Sequence, residues 1–122
     1  MIHMQGSAAV REIDTRLRVI DVGGEVNLQA EQALTSAFES ASTGAAAVIL
    51  NFAGMEYMNS AGIGLLVSLL IRARRMGVRL AACCLNAHYR EILHLTRLDE
   101  HVTVFETEAQ ALAALEQASL RN

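Results

Sequence analysis

Proline is absent from the 122-residue sequence, and only two cysteines are present. Without proline, the helix ends must be set by glycine and by capping side chains. The two cysteines, Cys83 and Cys84, are adjacent. Because neighbouring residues in a strand point to opposite faces, a bridge between them would be strained. We therefore expect both to be buried thiols of the core.

Other absences exclude whole classes of protein. No apolar run reaches the length of a membrane-spanning helix, and residues 1–6 lack the apolar core of a signal peptide, so we expect a cytoplasmic protein. The four histidines show no metal-ligand spacing with the cysteines, and no cofactor or metal is predicted. The net charge of -3 argues against nucleic acid as the main partner, because phosphate binding needs a basic face.

What is present indicates one globular domain. Hydrophobic residues make up 52% of the chain and charged residues 19%, which is enough to bury a core. We predict a single domain over residues 1–122, with residues 1–7 as a flexible N-terminal segment. No internal repeat or linker divides it.

Strand and helix patterns alternate along most of the chain. Strands are predicted at 17–22, 45–52, 78–84 and 102–105, with Leu17 and Val19 on one face of the first strand and Ile20 and Val22 on the other. Helices are predicted over 61–76, after the caps Asn27 and Asn86, and after Thr107. The apolar side of the third helix would contain Tyr89, Ile92, Leu93 and Leu95, and that of the fourth Ala109, Leu112 and Leu115. Residues 10–13 are short and ambiguous. Gly23 and Gly24 are expected to end the first strand, and residues 54–59 to form a loop. This order predicts an α/β fold with a mixed, largely parallel sheet and about four helices.

The most informative segment is residues 58–70, MNSAGIGLLVSLL, at the start of the second predicted helix. Ser60 falls where that helix begins, so one interpretation is an N-cap. However, Gly62 and Gly64 in the first turn each cost about 1 kcal/mol relative to alanine. They would leave the backbone amides open to an approaching anion. The spacing is not that of a nucleotide-binding loop.

The apolar face of this helix gives a second indication. With Ile63, Leu66, Val67 and Leu70 facing the core, Leu65 would lie on the opposite side, near Ser68 and Arg72. Two interpretations stay open: a flanking residue covered by a loop, or part of an apolar docking patch beside Ser60.

Three segments together resemble the STAS domains of bacterial anti-sigma factor antagonists. Residues 57–66, YMNSAGIGLL, are similar to the signature in which an aspartate precedes the phosphorylated serine, a small residue and a glycine. Residues 24–27, GEVN, resemble the motif before the first helix, and residues 95–99, LTRLD, resemble the C-terminal pattern. The resemblance runs from about residue 9 to 115 and implies a STAS-type fold.

Residue by residue, the resemblance assigns Ser60 as the phosphorylated residue. Asn59 and Asn27 stand where many members have aspartates, and Arg97 replaces a common glycine. The partner-binding residues that it implies are Asn27, Asn59, Ser60, Ala61, Gly62, Gly64 and Leu65.

The implied function is an anti-sigma factor antagonist, a partner-switching protein and not an enzyme. Unphosphorylated, it would bind an anti-sigma factor that is also a serine kinase, and a phosphatase would reset Ser60. The alternative is an accessory STAS subunit bound to the ATPase of a lipid-transport ABC system. A homodimer and a small-molecule sensor are further alternatives that the sequence leaves open.

Overall fold

The computed structural model describes residues 5–120, and the side-chain environments of residues 5–116. Within this range the chain forms five strands, four α-helices and two short 3-10 turns. The strands are β1 Ser7–Glu12, β2 Leu17–Val26, β3 Ala47–Met58, β4 Arg79–Cys83 and β5 Thr103–Phe105. The helices are α1 Glu31–Ser42, α2 Ser60–Met76, α3 Ala87–Leu95 and α4 Glu108–Leu120, and the turns are Leu28–Ala30 and Leu98–Glu100.

The strands form one sheet in the order β1-β2-β3-β4-β5. The first pair, β1 and β2, is antiparallel, and each later pair is parallel. Helices connect the parallel strands, as parallel pairing requires, because a short turn cannot return the chain to the same end of the sheet. The predicted α/β fold, with a mixed and largely parallel sheet and four helices, is confirmed.

The sheet is covered on both faces, and the two faces of β2 show how. Ile20 and Val22 point into the larger apolar cluster, which also contains residues of α1, α2 and α3. Leu17 and Val19 point into a smaller cluster closed by α4. Alternate side chains of a strand lie on opposite faces, so the face assignment made from the sequence for this strand is confirmed.

Two strands run further than the sequence indicates. The glycine pair at residues 23–24 was expected to end β2, yet β2 continues to Val26 and β3 continues through the predicted loop to Met58. The two strands stay paired because register shifts occur between Asp21 and Gly23 and between Gly24 and Glu25. Gly24 has φ +69°, which glycine adopts without steric cost, so these glycines bend the strand without ending it.

Residues 1–4 of the segment predicted to be flexible lie outside the described residues; of the remainder, Gln5 pairs with Glu25 and Ser7 opens β1. Two helix residues were assigned to the wrong side. Leu95, assigned to the buried side of the third helix, is 72% exposed. Ala109 is also exposed, because Ala111 and Leu115, four residues apart, set the buried side of α4.

A polar cluster attaches α4 to the sheet, and nothing in the sequence predicted it. The Arg11 guanidinium on β1 binds the Asp21 carboxylate through Nε at 2.5 Å and Nη2 at 2.8 Å. It also binds the Glu108 carboxylate at the start of α4. The amide Nδ2 of Asn51 donates to the same carboxylate at 2.9 Å. These contacts join four elements that are far apart in sequence.

Through this cluster, the unfolding free energy of the protein should depend on pH. Arg11, and then Asn51, hold the pKa of the Glu108 carboxyl below its ordinary value of 4.5. When the pKa of a carboxyl is lower in the folded state than in the unfolded state, the group stabilises the fold at a pH above its unfolded-state pKa. That stabilisation is lost as the pH falls through its folded-state pKa. We expect the wild type to lose more unfolding free energy below pH 4.5 than Glu108→Gln, as measured by urea denaturation on both sides of that pH. Parallel pH profiles for the two proteins would contradict this.

Candidate functional site: the start of helix α2

Ser60 is the first residue of α2 and its side chain is exposed. The N-cap is the residue before it: Asn59 is extended, with φ -96° and ψ -174°, and its Oδ1 accepts from the Gly62 N–H at 3.0 Å. Among the described residues, the Ser60 hydroxyl forms no hydrogen bond. The capping interpretation of Ser60 is therefore wrong, and its hydroxyl is available for another role.

Asn27 is also a capping residue and lies beside Asn59. Its Oδ1 accepts from the Gln29 N–H at 3.0 Å and caps the Leu28–Ala30 turn. Val26 lies opposite Met58 in the β2–β3 register, and the Asn59 N–H donates to the Val26 carbonyl at 3.3 Å. Both caps thus lie at the carboxyl edge of adjacent parallel strands. An aspartate can accept the same bonds, so the two amides preserve the local backbone structure.

The two glycines of the first turns differ in their surroundings. A Cβ on Gly62 would lie 2.2 Å from the Val26 carbonyl oxygen and 2.6 Å from Cγ of Met58. A Cβ on Gly64 would meet nothing within 4 Å. Gly62 is therefore needed for the close approach of α2 to the end of β2, whereas Gly64 is open to solvent or to a partner.

Tyr89 holds the segment that leads into Ser60. This tyrosine is buried on α3, and its hydroxyl oxygen accepts from the Met58 N–H at 2.9 Å. The sequence pattern placed Tyr89 only as an apolar residue. A buried tyrosine hydroxyl usually needs a hydrogen-bond partner, so a lone tyrosine on an apolar face was the available signal for this contact.

Leu65 does not lie where the sequence placed it. It is only 7% exposed and belongs to the larger core cluster, so the prediction that it lies opposite the core-facing side is wrong. The reason is the packing of α1 beside α2. Leu65 lies at a groove of about 520 Å³ between these helices, together with Leu34 and Ser68. The Ile63 and Val67 side chains, expected to face the core, are only half-buried.

The exposed apolar side chains near Ser60 are different ones. Leu28 is 65% exposed in the turn that Asn27 caps, and Tyr57 is 53% exposed in β3, three residues before Ser60. We call Leu28 and Tyr57 the flanking apolar pair. Because residues 54–59 were expected to be a loop, the alternation that turns Tyr57 away from buried Met58 was not visible in the sequence.

The electrostatics of this helix end favour an anion. The first turn of α2 contains no acidic residue, whereas Arg74 and Arg75 lie in the last turn, at the opposite end. Free N–H groups and the helix dipole give an N-terminus a partial positive charge. A phosphate on the Ser60 hydroxyl would therefore sit beside a favourable field on the exposed side of the helix.

Arg97 is another departure from the family pattern, and its backbone conformation bears on it. Arg97, where glycine is common, has φ +62° before the Leu98–Glu100 turn. This is the left-handed region that glycine enters without cost. Arg97 thus has a backbone conformation that suits glycine.

The comparisons with known proteins agree with this architecture. A family model for the STAS domain matches residues 8–111, which is most of the chain. The chain belongs to the STAS domain family. The matched range of this STAS protein begins in β1 and ends in the first turn of α4. We find no match among curated protein sequences.

Solved structures share the fold of this STAS protein. An anti-sigma factor antagonist from Mycobacterium paratuberculosis superposes with a TM-score of 0.75 at 23% identity, over 92% of this chain and 95% of its own. The phosphorylated form of the Bacillus cell-fate determinant SpoIIAA gives 0.66 at 18% identity, over 89% and 99%. A sulfate transporter family protein from Wolinella succinogenes gives 0.76 at 14% identity, over 88% and 90%.

Within the described residues, no helix has the length and apolar character needed to cross a membrane. In the same part of the chain, no three side chains of His, Cys, Asp or Glu are grouped to hold a metal ion.

Proposed function

We propose that this STAS protein is an anti-sigma factor antagonist whose partner binding is switched off by phosphorylation of Ser60. The observation that carries the proposal is the position of Ser60. Its side chain is exposed at the start of α2, while Asn59 provides the cap that a helix-start serine often provides. A kinase can therefore modify the hydroxyl without breaking a helix-capping bond.

The surroundings of Ser60 suit a protein interface. The flanking apolar pair, Leu28 and Tyr57, offers exposed apolar surface, and aromatic residues are enriched at interfaces. Asn27, Asn59 and Ala61 are half-buried around the serine, and Gly64 leaves room above the helix. In this proposal, Gly62 and Leu65 do not contact the partner directly but support the surface residues, because both are buried.

The switch follows from the charge that a phosphate adds. Phosphorylation brings about -1.5 to -2 charges at neutral pH. In the free protein the α2 N-terminus stabilises that charge, whereas an interface built for a neutral hydroxyl would have to desolvate it. A 100-fold weaker complex requires about 2.7 kcal/mol, a modest demand for a desolvated phosphate.

In this proposal, the partners catalyse both the phosphorylation and the dephosphorylation of Ser60. An anti-sigma factor with serine kinase activity would supply ATP and transfer the γ-phosphoryl group to the Ser60 oxygen. A phosphatase would remove the phosphate and restore binding. In this proposal the chain is a substrate and a ligand, not an enzyme, and it acts in the cytoplasm.

The test uses a serine kinase that is recovered with the chain from its native cells or encoded beside it. After incubation with ATP, mass spectrometry should find phosphate on Ser60 and none on Ser68, which lies two turns into α2. Ser60→Ala should lose the phosphate and keep partner binding, with its unfolding free energy nearly unchanged because the hydroxyl caps nothing. Ser60→Asp should fold and bind at least about tenfold more weakly, a difference of about 1.4 kcal/mol.

Two further results separate the proposal from its alternative. Asn59→Asp keeps the capping acceptor and introduces the residue common in the family, so faster phosphorylation of Ser60 in this variant would support the switch over the accessory-subunit function. Phosphate on another residue, or none, overturns the switch. Stable binding to a transporter ATPase, unchanged in Ser60→Asp, would instead support the accessory-subunit function.

A further inference from the structure

The two cysteines of the chain are brought together where β4 ends. Cys83 is the last residue of β4, and Cys84 follows it with φ +65°. This left-handed turn breaks the strand alternation, and the two Sγ atoms lie 3.6 Å apart. The prediction that the thiols point to opposite faces is therefore wrong. It assumed that the strand continued through Cys84.

The backbone conformation at Cys84 is unusual for its residue type. A non-glycine residue at positive φ is uncommon, and such strain concentrates at functional positions. Glycine would fill this position without strain. A cysteine that is held in the left-handed region, with its sulfur against the only other cysteine of the sequence, points to chemistry between the two thiols.

The surroundings give the two thiols different roles. Cys83 is fully buried in the smaller core cluster, and burial raises the pKa of its thiol to about 12. Cys84 is half-buried, so it is the more accessible of the two cysteines. Cys84 is thus the thiol that reacts first. Cys83 stays protonated at neutral pH because of its raised pKa, so its attack on the product depends on the short distance between the two sulfurs and requires it to give up its proton.

We propose that Cys83 and Cys84 form a redox modification site, in which a peroxide oxidises the adjacent thiols to a reversible disulfide. The Cys84 thiol loses its proton, the thiolate attacks one peroxide oxygen and the O–O bond breaks; the hydroxide that leaves takes up that proton, so a sulfenic acid and one water form. The Cys83 thiol then attacks the sulfenic sulfur, the S–O bond breaks, and the hydroxyl leaves with the Cys83 proton as a second water. Overall, two thiols lose two electrons and two protons, and one peroxide becomes two waters. This site is independent of Ser60 and of the proposed switch.

The same geometry makes the disulfide easy to reduce. Adjacent Cα atoms are about 3.8 Å apart across a trans peptide, which is less than the usual separation in disulfides of about 4.4–6.8 Å. The bond is therefore strained, and strained disulfides have more oxidising potentials. A small thiol would attack one sulfur through a mixed disulfide and return both cysteines to the reduced state.

The test needs only the full chain, hydrogen peroxide and dithiothreitol. We expect intact-mass analysis of the peroxide-treated protein to show the loss of two hydrogens in a monomer. Both thiols should become unreactive to iodoacetamide, and fragmentation should place the bond between Cys83 and Cys84. Dithiothreitol should restore the mass and both reactive thiols.

Cys83→Ser and Cys84→Ser are the matched controls, since neither can lose two hydrogens within one chain. Three results would overturn the proposal in the wild type: sulfinic or sulfonic acid on Cys84 with Cys83 still a thiol, a disulfide that forms only between two chains, or no reaction with excess peroxide.

Discussion

Gly62→Ala is expected to destabilise the fold by about 1–3 kcal/mol, the usual range for overpacking a tight contact. The added Cβ would lie 2.2 Å from the Val26 carbonyl oxygen, and this neighbour is backbone, not the end of a flexible side chain. To relieve the clash, α2 must move away from the end of β2. The Asn59 cap and the exposed Ser60 depend on that contact, so both should shift.

Gly64→Ala is the matched control two residues along the same helix. Its Cβ would enter open space, and alanine is favoured over glycine in a helix by about 1 kcal/mol. Urea denaturation should therefore show the two substitutions acting in opposite directions. Equal effects would mean that helix propensity, not the approach to Val26, governs this turn.

Leu65→Lys is expected to cost about 3–5 kcal/mol, the range for an unpaired buried charge. Leu65 packs in the larger core cluster, below the groove between α1 and α2. The sequence pattern had placed Leu65 opposite the core-facing side, and a lysine in such a position would leave the fold intact. Thermal unfolding followed by circular dichroism separates the two expectations.

Ser68→Lys gives the control for the same groove. Ser68 is exposed and lines the groove with Leu65, so a lysine there should change stability by less than about 0.5 kcal/mol. A folded, stable Leu65→Lys protein would contradict the core assignment. A loss of partner binding in Ser68→Lys alone would place this groove in the partner interface.

The flanking apolar pair shows why the partner surface was only partly predictable. Ser60, Asn27 and Asn59 were found from motif positions along the chain, and the structure brings all three to the carboxyl edge of β2 and β3. Tyr57 was missed because its exposure depends on the extension of β3. That extension depends in turn on pairing with β2, which is a long-range contact.

The buried face of α2 could not be predicted from the residues of α2 alone. Its sequence is apolar on nearly every side from residue 63 to residue 71, so no single stripe identifies the buried face. The neighbouring helix α1 makes the choice by covering Leu65 and Leu69, and Ile71 is left exposed.

Local patterns in the sequence were enough to predict the alternation of strands and helices, the two faces of β2 and the capping positions at Asn27 and Asn86. These features depend on residue periodicity and on hydrogen bonds between residues at most three apart. The packing of the whole chain was needed to show where α2 begins, that Leu65 is buried, and that the thiols of Cys83 and Cys84 meet. The Asn59 cap is itself a local bond, but the choice between Asn59 and Ser60 depends on where β3 ends, and the Asn59 N–H is held by the Val26 carbonyl of β2. Leu65 is buried by the neighbouring helix α1, and the thiols meet because the chain turns at Cys84, so the periodicity of one segment could not predict either.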